Sequence, residues 1–285
     1  MTESANGVPE VLLTGIALGE SPRWHEGRLW FSDWLAHEIV AVDLDGKRET
    51  VVEVPGMPFS FDWSPDGRML VVTNGDGRRL QRVASDGSLE TVADLTGLVD
   101  KPWNEIVVDG RGNVFLNSIC FDLMTNEDPA PGIVAVVAPD GTVRQVADGL
   151  EFPNGMAVTP DGSTLIVAES YAQRLTAFDI AADGGLSNRR VWAEIDGYPD
   201  GICLDAEGAV WCAAMLRCLR VREGGEVLQA VELDRSCFAC MLGGVGGTTL
   251  FVMAAEWTGV EGATGEDRTG QVVMAPASAP HAGRP

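Results

Sequence analysis

The chain has 285 residues, 45% of them hydrophobic, and carries a formal net charge of −22. That length suits one large domain or two small ones. A surface so acidic repels phosphate backbones and anionic bilayers, which argues against nucleic acid and membrane partners. The expected partner is a small-molecule substrate and the expected state a monomer or small homo-oligomer, neither of which follows from charge.

From the N-terminus, MTESANGVPE lacks the basic start and apolar core of a secretory signal. No run of about 18 apolar residues follows that could cross a membrane as a helix. The cysteines, Cys203, Cys212 and Cys218 among them, sit mostly in apolar strand-like runs. They read as reduced, buried thiols, so the expected location is cytoplasmic. Cys237 and Cys240 form a C-x-x-C without a second pair, and residues three apart on a strand point to opposite faces, which does not suit zinc.

The first apolar run, PEVLLTGIA, reads as a strand. Beyond it, short runs rich in Val, Ile, Leu and Trp alternate with Asp-Gly or Gly-Gly turns, as in RLWFSDW and then HEIVAVDLDG. Long helical periods are absent, so the fold class is all-β. One series of turns ends at Gly27, Gly67, Gly112, Gly162, Gly208 and Gly247, at intervals of 40, 45, 50, 46 and 39 residues. A second turn follows in most units, at Gly46, Gly87, Gly141, Gly184 and Gly224. A repeat of this length with four antiparallel strands per unit marks a propeller blade, and six units predict a six-bladed β-propeller. A β-sandwich has no reason to repeat this turn six times. Residues 1–285 are expected to form a single domain with flexible ends at about 1–8 and 277–285. The third unit is longer, and its polar, Pro-containing segment 120–131 reads as a loop. The last unit offers three strands, so the N-terminal run is expected to close the last blade as its fourth.

Glu20 lies seven residues before its turn glycine, and Asn104, Asn154 and Asp200 lie eight before theirs. In a propeller the strand leading into this turn is innermost, so its first residue stands at one mouth of the central channel. Two uncompensated carboxylates converging there would repel, and a cation removes the conflict. Four hard oxygen donors suit one divalent metal ion: Ca²⁺, Mg²⁺ or Mn²⁺, with Zn²⁺ and Fe²⁺ also compatible. Phe59 or Ser60, and Ala239 or Cys240, occupy this level in the other blades and are poor ligands, which leaves room for water or substrate.

These motifs resemble the regucalcin (senescence marker protein) and gluconolactonase family. GESPRW resembles its opening Gly-Glu-Gly-Pro-x-Trp, FPNGMAVTPDGSTLIVAES its Asn-Gly motif and turn, and YPDGICLDAEGAVWCA its Pro-Asp-Gly segment. CFACMLGGVGGTTLFVMAA resembles its last-blade strand pair, and the likeness runs over residues 11–275. The resemblance implies a six-bladed propeller with a divalent metal on Glu20, Asn154 and Asp200, and with Asn104 nearby or ligating. It implies lactone hydrolysis, with Asp200 at the position of the general base. Asp122 falls where some sugar-lactonase members carry a substrate-binding Glu.

Two departures bear on substrate. Pro102 stands where sugar-binding members often have Arg, and Met215-Leu216-Arg217 stands where many have small polar residues or Gly. Candidate substrate-binding residues are Asn104, Asp122, Trp34, Phe59, Trp103, Phe121, Met215 and Trp257, a set that favours a less polar substrate than a sugar lactone. The expected activity is therefore that of a metal-dependent lactonase. Alternatives are another reaction at the same metal, such as phosphotriester hydrolysis or a biosynthetic ring-opening, isomerisation or cyclisation, or a non-enzymatic calcium-binding propeller. A Ser-His-Asp site is not expected, because the three histidines lie near turns or in the tail and no G-x-S-x-G occurs.

Overall fold

The recurrent turns reverse the chain as their composition requires. In TPDG, Gly162 takes a φ of 69°, in the left-handed region that favours glycine. Asp161 Oδ1 locks the bend by accepting the Thr159 hydroxyl at 2.6 Å and the Ser163 N–H at 3.0 Å. In the computed structural model, which describes residues 8–262 and 264–283, such turns connect neighbouring strands within six antiparallel sheets of four strands. They are the blades of a six-bladed β-propeller: residues 19–53, 60–94, 106–150, 153–194, 199–232 and 236–276.

The last blade borrows its fourth strand, as expected. Glu10–Ile16 pairs antiparallel with Gly270–Pro276, with Glu10 opposite Met274 and Ile16 opposite Gly270. The first strand of each blade is innermost, and each touches the inner strands of both neighbours, so the ring is continuous. Second strands such as Met69–Thr73 and Val210–Ala214 are buried along their whole length between blades. Outermost strands such as Val227–Glu232 face water and are mostly exposed or half-buried. Trp103, Trp211, Phe31, Phe115 and Phe251 are among the largest fully buried side chains of this interblade core.

The C-terminal expectation needs correction. Residues 277–283 are not a loose end: Ala206 N–H donates to Pro280 O at 2.8 Å, Ala282 N–H to Leu204 O at 3.1 Å, and His281 N–H to Gly247 O at 3.0 Å. The segment thus straps blade 5 to blade 6. At the other end, residues 1–7 of the expected flexible stretch lie outside the described residues.

One buried carboxylate braces blade 4. Glu169 is fully buried, and its oxygens accept Arg174 Nε at 3.1 Å, Arg189 Nη2 at 3.1 Å, the Thr176 hydroxyl at 2.5 Å and the Glu151 N–H at 2.8 Å. Burial alone would raise its pKa, but these donors more than offset it and hold the carboxyl below the ordinary glutamate value. A depressed pKa means the pair stabilises the fold above the ordinary value and is lost as pH falls through the lower one. Glu169→Gln should therefore cost about 2 kcal/mol at pH 7. In thermal melts the gap from wild type should narrow below pH of about 4.3. A gap that stayed constant with pH would show that charge plays no part there.

Candidate metal centre and substrate cavity

At one mouth of the central channel lies a cavity of about 610 Å³. Glu20 of blade 1, Asn104 just before the inner strand of blade 3, Asn154 of blade 4 and Asp200 of blade 5 all line it. Asn104 Nδ2 donates to Asn154 Oδ1 at 3.3 Å, and the Asn154 amide bonds in turn to Asp200. The structure thus gathers the four residues that lie seven or eight positions before a turn glycine.

Backbone irregularities aim them. The inner strand slips register between Glu20 and Arg23, between Pro153 and Met156, and between Pro199 and Ile202. Such bulges re-aim side chains at the end of a strand. Blade 2 has an unbroken register from Ser60 to Trp63 and contributes no carboxylate or amide to the cavity. The glycines after Asn154 and Asp200 are required by crowding near the axis. A Cβ on Gly155 would lie 2.6 Å from Asp200 O, and one on Gly201 would lie 2.4 Å from the Ala239 Cβ. Asn117 Nδ2 donates to Asn154 O at 2.6 Å, and Ser170 Oγ donates to Pro199 O at 2.7 Å, which fixes blade 4 against its neighbours.

The electrostatics are unbalanced. Burial, followed by repulsion from Asp200 and Glu105, pushes the Glu20 carboxyl well up. Burial and then the Glu105 charge do the same to Asp200. Asp200 Oδ1 is buried and has no hydrogen-bond partner. Glu105, by contrast, accepts Arg23 Nη2 at 3.1 Å and the Ser21 hydroxyl at 3.0 Å. Two crowded carboxylates, one with an orphaned oxygen, fit a divalent cation with hard oxygen ligands. Among the described residues no group of three or more His, Cys, Asp or Glu side chains is arranged to hold a metal, so the two asparagines would have to complete the set.

Of the expected pocket residues, Trp34, Phe121, Asp122 and Trp257 line the cavity. Asp122 Oδ1 is also engaged in capping the turn Leu123–Thr125, accepting the N–H groups of Met124 at 2.9 Å and Thr125 at 3.3 Å. Three others do not line it. Trp103 is fully buried among Leu95, Ile106 and Leu116, because extended backbone sends it away from the cavity that Pro102 and Asn104 face. Phe59 is fully buried between Ile39 and Val71, and only its carbonyl reaches toward the site, accepting Trp34 Nε1 at 2.6 Å. Met215 sits at a hairpin tip with φ of 59°, half exposed and outside the lining. Sequence reasoning missed Phe152, Tyr171, Tyr198 and Phe238, which line the cavity. Phe152 and Tyr198 open two of the quoted motifs and carried that signal.

Residues 18–256 match the family model for the SMP-30/Gluconolactonase/LRE-like region. The chain belongs to this family. The matched region of this SMP-30/gluconolactonase/LRE-like protein holds all four converging residues. It is 30% identical over 225 residues to the pentonolactonase XacC of Haloferax volcanii, covering 72% of this chain and 69% of that one. It is 28% identical over 253 residues to regucalcin of Xenopus laevis, covering 84% and 83%. Among solved structures, a luciferin-regenerating enzyme superposes with a TM-score of 0.81 at 20% identity, over 96% of each chain, a likeness of fold.

Two outcomes follow from the site geometry. A carboxyl whose pKa is raised by folding costs stability when ionised, so relieving the Glu20–Asp200 conflict should stabilise the metal-free fold. Glu20→Gln should raise the melting temperature without metal, by about 2–4 °C per kcal/mol relieved, while weakening Ca²⁺ binding in calorimetry. A lower metal-free melting temperature would contradict the repulsion. Trp103→Ala should cost about 3–5 kcal/mol of stability in denaturant melts. A stable Trp103→Ala with altered substrate preference would reverse its assignment to the core.

Proposed function

We propose that this protein is a metal-dependent lactonase whose substrate is less polar than a sugar lactone. The observation that carries the reading is the unpartnered Asp200 Oδ1, buried beside Glu20 at the floor of a large cavity. The pentonolactonase relative supports lactone opening as the reaction. Glu20, Asn154 and Asp200, with Asn104, would hold one divalent ion, Ca²⁺, Mg²⁺, Mn²⁺, Zn²⁺ or Fe²⁺. When bound, it supplies a positive charge that favours negative charge developing on the substrate carbonyl oxygen.

The chain's own groups do the rest. Asn154 and Ser170, themselves tied to blade 5, fix the Asp200 side chain and backbone. Asp200 would accept a proton from the attacking water. Asp122, on the cavity wall, could orient substrate or protonate the leaving oxygen, within the limits of its capping role. Leu18, Met57, Pro58, Ile119 and Trp34 give the wall an apolar character, and Pro102 supplies no donors where an arginine would fork to sugar hydroxyls. All six cysteines are free, five of them buried, which supports a cytoplasmic setting.

Asp200→Asn should keep the propeller and lose hydrolysis by about 10²–10⁴-fold, whereas Asp122→Asn should lose less. Circular dichroism and kcat/KM on a panel of alkyl and aryl lactones with glucono-lactone, under added Ca²⁺, Mn²⁺, Zn²⁺ or Fe²⁺, test this. Near-normal turnover by Asp200→Asn would remove it from catalysis, and glucono-lactone as the best substrate would refute the apolar preference.

A further inference from the structure

The cavity has aromatic walls and, among the described residues, no basic side chain in its lining. Both tyrosines of the chain, Tyr171 and Tyr198, line it. Tyr171 packs on Phe152 with ring centroids 4.7 Å apart, and Phe121 lies 5.7 Å from Phe152, so these rings form one aromatic face beside blades 3 and 4. Phe238 and Trp257, 5.5 Å apart, form a second on blade 6, which stands opposite blade 3 in a ring of six. The short turns Leu123–Thr125 and Val260–Gly262, from those same two blades, touch across the mouth. The charged side chains in the lining are all acidic: Glu20, Asp122 and Asp200. Among the described lining residues there is no Lys, Arg or His. The nearby Lys101 is already paired with Glu127 at 2.5 Å, and Arg23 with Glu105 at 3.1 Å.

We propose that this cavity is a charge-selective aromatic slot, which accepts an uncharged lactone bearing an aromatic ring and rejects lactones that carry a negative charge. The reacting group is taken from the lactonase reading above, while the selection rests on the lining alone. A flat ring between facing aromatic walls gains stacking as well as burial. A divalent ion on Glu20 and Asp200 offsets those two charges, which leaves Asp122 and the net charge of −22 acting on any incoming anion. The same field acts on the product. Water's oxygen bonds to the acyl carbon, the acyl–oxygen bond breaks, one proton goes to the leaving oxygen and one to solvent. A neutral ligand thereby becomes a hydroxy carboxylate in a cavity without a basic side chain, which favours its release.

The test uses lactams, which bind without being opened. Binding of a phenyl-substituted γ-lactam and of its para-carboxylate to Ca²⁺-saturated protein is followed by tryptophan fluorescence and calorimetry. The neutral ligand should bind on the order of tenfold more tightly at low salt. The gap should narrow at about 1 M salt, where the screening length falls to about 3 Å. Leu123→Lys, which places a cation in the lining, should also shrink it, and Trp257→Ala should weaken the neutral lactam. Equal or tighter binding of the carboxylate by wild type, or a gap that neither salt nor Leu123→Lys moves, overturns the proposal. If the gap appears but the matching phenyl lactone is not opened, the lactonase reading fails and the charge filter stands. If the lactone is opened and there is no gap, the reverse holds.

Discussion

Six inner strands have to share one axis, and the space they leave at its end governs everything described above. Backbones approach so closely that Gly155 and Gly201 have no room for a Cβ. Where the strands begin, register slips turn Glu20, Asn154 and Asp200 toward the same cavity. A fold that closes on itself in this way cannot relax one of these residues outward without opening a blade. The carboxylates are therefore held together at a cost that the surrounding hydrogen bonds of the ring sustain.

The protein treats its buried acids in two ways, and the contrast separates structure from chemistry. Glu169 meets two arginines, a hydroxyl and an amide, and Glu105 meets Arg23 and Ser21. Asp205, buried in the turn after the inner strand of blade 5, is matched by Arg220 at 2.6 Å. These are satisfied groups. Glu20 and Asp200 have no basic partner within the lining, although arginine is available throughout the chain for every other buried acid named here.

Much of this was legible in the sequence because it was periodic. The turn glycines recur at blade spacing, and counting back from them led to Glu20, Asn104, Asn154 and Asp200, which do line one cavity. The wall was less legible, because aromatic residues pack between blades as readily as they face a ligand. Trp103 and Phe59 looked the same in sequence as Trp34 and Trp257, but strand parity sends the first two into the core. Phe238 and Tyr171 could be found only from the curvature of the sheets. The C-terminal strap was invisible because its bonds are main-chain contacts to distant turns, which Pro- and Ala-rich composition does not encode.

Arg23 also bears on how traffic through the molecule must run. Its guanidinium crosses the channel to Glu105 and to Ile106 O, at 3.1 and 2.7 Å, and it is almost wholly buried. A smaller cavity of about 280 Å³, walled by Trp24, His25 and Trp63, lies on its far side and shares no lining residue with the large one. The propeller is thus a cup with a charged floor, not a tube. A ligand held in the large cavity would then enter and leave by the same mouth, so one would have to vacate it before the next could seat.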